Sequence, residues 1–208
     1  MKPLVGLSIL FLFLVSEVPA QNSNETETEP YPNTDLTYSR IPEAPASYSA
    51  GNVAARIIDG LGFRYYWATE DLRKTDLDYK PSENARTTSE TIQHIYGLSN
   101  VILNAMEQNA NLEDNSGKPM TFTDIRKKTL DNLKRASDIL KRASDEDIEK
   151  YIIIFGQGDS SSEFPFWNLL NGPIADAIYH TGQVVSFRRS SGNPINPKVR
   201  VFTGNVSE

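Results

Sequence analysis

The chain contains two histidines, His94 and His180, and no cysteine. Any metal or acid–base chemistry must therefore use imidazole, carboxylate or hydroxyl groups; disulfides, thiolate metal sites and cysteine nucleophiles are excluded. Asp176 stands one helical turn before His180, a spacing that places both side chains on one helix face with Cβ atoms roughly 5 to 6 Å apart. Such a pair can reach one ion, because ligand bonds of about 2.0 to 2.2 Å draw donors around a common centre and a rigid helix pre-sets two of them. His94, supplied by a facing helix, makes a third ligand. Two imidazoles and one carboxylate leave positions for water or substrate, the donor set of hydrolytic zinc or an open ferrous site rather than a closed structural one. The same spacing also describes a simple charge pair, and a single histidine beside an apolar stripe is commonly hydrogen-bonded within a core.

Other chemistry finds little support. There is no Gly-x-Ser-x-Gly elbow and no phosphate-cradling loop, and Gly156-Gln157-Gly158-Asp159 lacks the strand, helix and later acidic partner of a nucleotide site. Lys and Arg total 21 against 27 Asp and Glu, a net charge of −6. No basic run is long enough for a nucleic-acid footprint, so no nucleic-acid partner is expected. The 208 residues, 38% hydrophobic and 23% charged, suit one folded domain with accessory segments.

The elements that must position these groups are legible from hydrophobic spacing. Residues 1–20 read as a secretory signal peptide: Lys2 precedes the apolar stretch Leu4–Val15, and Val18-Pro19-Ala20 suits cleavage after Ala20. That stretch is too short for a permanent membrane anchor, so a secreted or periplasmic protein is expected. Residues 21–48, rich in Asn, Glu, Thr and Pro, read as a disordered linker. Residues 49–190 carry four amphipathic segments, and 191–208 form a C-terminal tail. The first helix spans about 50–69, with Val53, Ile57, Ile58, Leu61 and Tyr65 as one buried stripe. Thr87 and Glu90 form a capping box opening the second helix. The third opens at Thr121, and its basic face of Lys127, Lys128, Lys134 and Arg135 is balanced by Asp131 and Asp138 as a solvated surface. The fourth runs from about Phe166 to Arg189 with a stop at Gly192; Pro173 either kinks it or marks its first turn. Tyr151–Phe155 suggests a short strand, with 198–202 as its candidate partner. The fold class is all-α, a four-helix bundle.

Two phrases add a resemblance. Thr91-Ile92-Gln93-His94-Ile95 on the second helix, and His180-Thr181-Gly182-Gln183-Val184 followed by Arg188-Arg189 on the fourth, resemble the DinB/YfiT-like family of metalloenzymes over roughly residues 50–190. The resemblance implies an up-down-down-up bundle with a divalent metal, commonly zinc or nickel, held by three histidines. Two of those positions match His94 and His180. The third departs, since Asp176 stands where the family usually has histidine; a carboxylate can also ligate, with a changed metal preference, iron included, or the site can lapse into an ion pair.

With a metal present the expected role is Lewis-acid hydrolysis of a small-molecule substrate, since the ion lowers the pKa of water toward about 7. Thiol transfer, known among similar proteins, fits an exported chain poorly. Tyr66 and Trp67 are candidate walls of a substrate pocket beside His94, with core packing as the commoner use. Glu70 is a candidate general base. Arg188 is a candidate contact for an anionic substrate, or a cation favoured by the helix C-terminus. Gln183 either orients a ligand or bonds backbone. The alternative is a metal-free helical bundle that binds a small ligand or serves a structural role; a homodimer is compatible with either.

Overall fold

The computed structural model describes residues 36–112 and 119–207. The expected signal peptide and cleavage after Ala20, with the linker as far as residue 35, lie outside the described residues.

Local signals set the helix starts. α1 (Ala50–Thr69) begins at Ser49, whose Oγ accepts from the Asn52 amide. After the single turn α2 (Lys74–Leu77), α3 (Thr88–Glu107) opens on the Thr87–Glu90 capping box. The same device, Thr121 with Asp124, starts α4 (Phe122–Leu140), and Ser144 with Asp147 starts the short α5 (Asp145–Lys150). The fourth long helix is two pieces, α6 (Phe166–Leu169) and α7 (Ala175–Ser190), joined by a π-helical turn over Leu170–Ile174. Pro173 lies inside that turn. Without an N–H it cannot close the α ladder, so the coil widens there and resumes as α7.

Polar contacts between the long helices fix their directions. Arg126, near the start of α4, donates to Thr69 at the end of α1, while Gly51 at the start of α1 lies against the Leu140 carbonyl at the end of α4. These two helices are antiparallel. Asn132 of α4 donates to Ser99 and Asn100 of α3, and Arg135 pairs with Glu107 one and two turns further on, so α3 and α4 run in parallel. Arg188 at the end of α7 donates to the carbonyls of Trp67 and Ala68 at the end of α1, which makes α1 and α7 parallel. α1 and α3 each pack on both α4 and α7. The result is an all-α four-helix bundle running up-down-down-up.

The core is built from Ile58, Leu61 and Phe63 of α1, Ile92, Ile95 and Ile102 of α3, Leu130 and Leu133 of α4, and Ala177 and Val184 of α7. The single buried stripe expected for the first helix is corrected. The C-terminal half of α1 is buried all round, whereas Val53 and Ile57 are 45% and 41% exposed. The reason is a third covering layer. Residues 36–48, read as part of the linker, lie against α1: Tyr38 is buried, its hydroxyl donates to the buried Asp59 at 2.9 Å, and Trp67 Nε1 donates to the Ser39 carbonyl. Burial, with the Asp59 charge beside it, pushes the Tyr38 phenol well above its ordinary range, keeping it a neutral donor.

The basic face of α4 is a solvated one, with Lys127 paired to Asp131 and Lys134 to Asp138 along the helix. β1 (Ala110–Asn111), β2 (Ile152–Phe155) and β3 (Ser162–Pro165) form a small sheet in that order, β1 parallel and β3 antiparallel to β2. β4 (Val199–Arg200) pairs with β5 (Asn205–Val206). The strand expected near 151–155 therefore exists, but its expected partner at 198–202 is corrected: β2 finds closer partners on both sides, and the tail closes on itself as a hairpin.

Candidate metal centre

α3 and α7 are neighbours in the bundle, and their facing surfaces bring together the three residues singled out by type and spacing. His94 Nε2 lies 3.2 Å from Asp176 Oδ2, and His180 Nε2 lies 3.3 Å from Asp176 Oδ1. One candidate donor atom from each residue falls within 4.8 Å of the others. Asp176 sits in the first turn of α7, directly after the π-helical turn, and the i, i+4 relation to His180 arises as the sequence spacing requires. His94 is in the second turn of α3. The two imidazoles stand edge to face with ring centroids 4.7 Å apart.

The donor set fits a divalent ion. Each Asp176 oxygen faces a different imidazole nitrogen, so the three residues already aim their ligand atoms at one another. His180 Nδ1 lies 2.7 Å from Gln183 Oε1. This contact holds the ring by its outward nitrogen while Nε2 faces Asp176 and the centre. Gln183 thus contacts the side chain of a candidate ligand, one of the two alternatives that the sequence left open. Its i+3 offset from His180 was the signal, but only the rotamers distinguish it from a backbone partner. Exposure is graded: the His180 side chain is 12% exposed, His94 34% and Asp176 42%. One side of the centre is therefore open to solvent and the other is packed, as an accessible site requires.

For Tyr66, Trp67 and Arg188 the structure shows the alternative uses, core packing and contacts at the helix ends. Tyr66 is wholly buried, packed edge-on against Trp67, with the Arg126 guanidinium 4.7 Å from its ring centroid. Trp67 is nearly buried and spends its indole N–H on Ser39. Arg188 is 3% exposed and donates to the carbonyls of Trp67, Ala68 and Asn193 and to the Asn193 side chain, so it is buried in the packing at the helix ends. Burial pulls its pKa below the ordinary arginine value. Glu70 is ion-paired with Arg126 and is unsuited to act as a free base. Arg188 and Glu70 are thus absorbed in tying helix ends together, and Tyr66 and Trp67 in packing.

An apolar groove of about 610 Å³ lies between α1, α5 and α6 and contains none of the three candidate ligands.

No protein-family model matches the chain, and no curated protein matches it. Among solved structures, the chain is similar to a DinB-like protein of Bacillus subtilis, YjoA, at 18% identity with a TM-score of 0.46, over 72% of this chain and 98% of that one.

Proposed function

We propose that this chain is an exported helical-bundle protein that holds one divalent transition ion on His94, Asp176 and His180 and uses it in hydrolysis of a small-molecule substrate. The observation that carries the reading is the convergence of three donor groups from two helices within 4.8 Å. Nitrogen-rich donors with one carboxylate favour zinc, nickel or iron over calcium or magnesium. A bound ion would supply Lewis-acid polarisation of an electrophile.

The chain's own residues supply the remainder. Gln183 contacts His180 Nδ1 and so holds the ring with Nε2 turned toward the centre. Asp176 contributes negative charge that offsets part of a dication's charge, and its exposure keeps one flank accessible. The apolar packing behind His180, with Ala177, Thr181 and Val184 buried in the same helix, holds the ligand-bearing face of α7 rigid. Export is proposed on the Lys2, Leu4–Val15 and Ala20 pattern; the mass of the chain recovered from a secreting host, beginning at Gln21, tests it.

Metal content tests the centre. Protein loaded with zinc or nickel and then desalted is expected to retain about one ion per chain, and His94→Ala to retain little. Chelator should lower the melting temperature of the wild type alone, because an ion bound only by the folded chain stabilises it by mass action. Unchanged metal content in His94→Ala refutes the assignment. Metal-dependent cleavage of activated esters and amides, lost on chelation and regained on reloading, tests the hydrolytic step; a loaded protein inert to them overturns that step while leaving the centre standing.

A further inference from the structure

Three of the exposed large apolar side chains, Val53, Ile57 and Trp167, border a single groove. The groove of about 610 Å³ is floored by Val53 and Ile57 of α1, Ile148 of α5 and Leu170, and walled by Phe166 and Trp167. Trp167 is 75% exposed, an unusual fate for the largest apolar side chain. Beyond the shared Val53 and Ile57 the surface continues into a hollow bordered by Pro45 and the 96% exposed Tyr48. A clustered apolar patch of this kind marks a binding surface rather than scattered exposure, and its volume is that of a small-molecule site.

The charge along the groove selects the occupant. Its ionisable lining groups are Asp145 and Glu149, one turn apart on the same face of α5. Both are exposed, and neither forms an ion pair or side-chain hydrogen bond among the described residues. Among the described residues no basic one lines the groove; Lys150 of α5 is paired with Asp147, and Arg56 in the adjoining hollow donates to the Pro42 carbonyl at 2.6 Å. An indole face and two uncommitted carboxylates beside an apolar trough are complementary to an ammonium carried on a hydrocarbon body. We propose that this groove is a second ligand site, independent of the metal centre, that binds a cationic amphiphile of small-molecule size, its apolar body along Val53 and Ile57 and its ammonium between Trp167 and the α5 carboxylates.

Titration with n-octylammonium, octan-1-ol and octanoate, followed by tryptophan emission and by calorimetry, tests this with probes that share one apolar body. Trp167 is the exposed one of the chain's two tryptophans, so its emission reports the groove against the buried Trp67. Octylammonium should saturate with at least tenfold higher affinity than octanoate, with octanol between them. The double variant Asp145→Asn, Glu149→Gln should bring the three within about threefold of one another, and Trp167→Phe should abolish the optical change. Ile57→Gln, at a position already partly exposed, should weaken all three without changing the melting temperature. Equal affinities of the two charged probes in the wild type, persistence of the tenfold preference in the double variant, or absence of saturable binding would overturn the proposal. So would sedimentation of the free chain as a dimer that loses the Trp167 response, which would make a second copy the occupant.

Discussion

His94 on α3 and His180 on α7 meet edge to face, their ring planes at 84° and their centroids 4.7 Å apart, with the Asp176 carboxylate bridging them. Two imidazoles in contact would ordinarily be held apart by packing or by opposite roles. Here one carboxylate serves both, each of its oxygens facing one ring, and Gln183 takes the outward nitrogen of His180.

The first prediction concerns that outward contact. Gln183→Leu removes the acceptor at His180 Nδ1 without touching a ligand atom. Zinc affinity measured by competition with a chromophoric chelator is expected to fall about 10- to 100-fold, while the metal-free melting temperature stays within a degree or two. An unchanged affinity would show that His180 is oriented by packing alone.

Asp176→Ala separates metal binding from stability. The side chain is 42% exposed, and pairs at that exposure contribute only about 0 to 1 kcal/mol to folding. The metal-free variant should therefore unfold at nearly the wild-type denaturant midpoint, yet bind zinc at least tenfold more weakly. Asp176→His should restore binding, because imidazole at that position supplies a donor of similar reach.

A third prediction follows from the end of α7. Asp76 is wholly buried and accepts from Arg73, Ser191 and Asn193. The Arg73 hydrogen bonds, ahead of the opposing effect of burial and with further help from Ser191 and Asn193, hold its carboxyl well below the ordinary value near 3.8. Because the native value is the lower one, its stabilisation is complete above the ordinary value and is lost as pH falls through the depressed one. Asp76→Asn should lower the melting temperature at pH 7 and flatten the decline in stability as pH falls below the ordinary carboxyl value near 3.8. Parallel acid limbs for the two proteins would contradict this.

The layer over α1 gives the fourth. A Cβ at Gly62 would come within 2.5 to 2.7 Å of the Tyr38 ring, too close for an aromatic ring pinned by its hydrogen bond to Asp59. Gly62→Ala should cost about 1 to 3 kcal/mol in denaturant unfolding, the usual range for overpacking. The Trp67 emission should shift to the red as its bond to Ser39 breaks. A helix stabilised by the alanine, with no optical change, would mean that residues 36–48 do not cover α1.

The sequence alone determined the local decisions and singled out the candidate residues of the site. Helix starts at Thr87 and Thr121 are read in a few residues, because a side-chain oxygen and the amide it satisfies are neighbours in the chain. The Asp176–His180 pair is likewise legible, since helical pitch fixes its spacing. Only the tertiary structure decided that His94 faces that pair, that Arg188 and Glu70 are consumed in joining helix ends, and that the composition-poor stretch around Tyr38 is packed. Each of these depends on which surfaces meet, a property set by the whole bundle's burial of apolar area and not by any window of sequence. Tyr38 illustrates the difference: among polar residues one aromatic ring looks like part of a linker, until a glycine on α1 opens the slot that receives it.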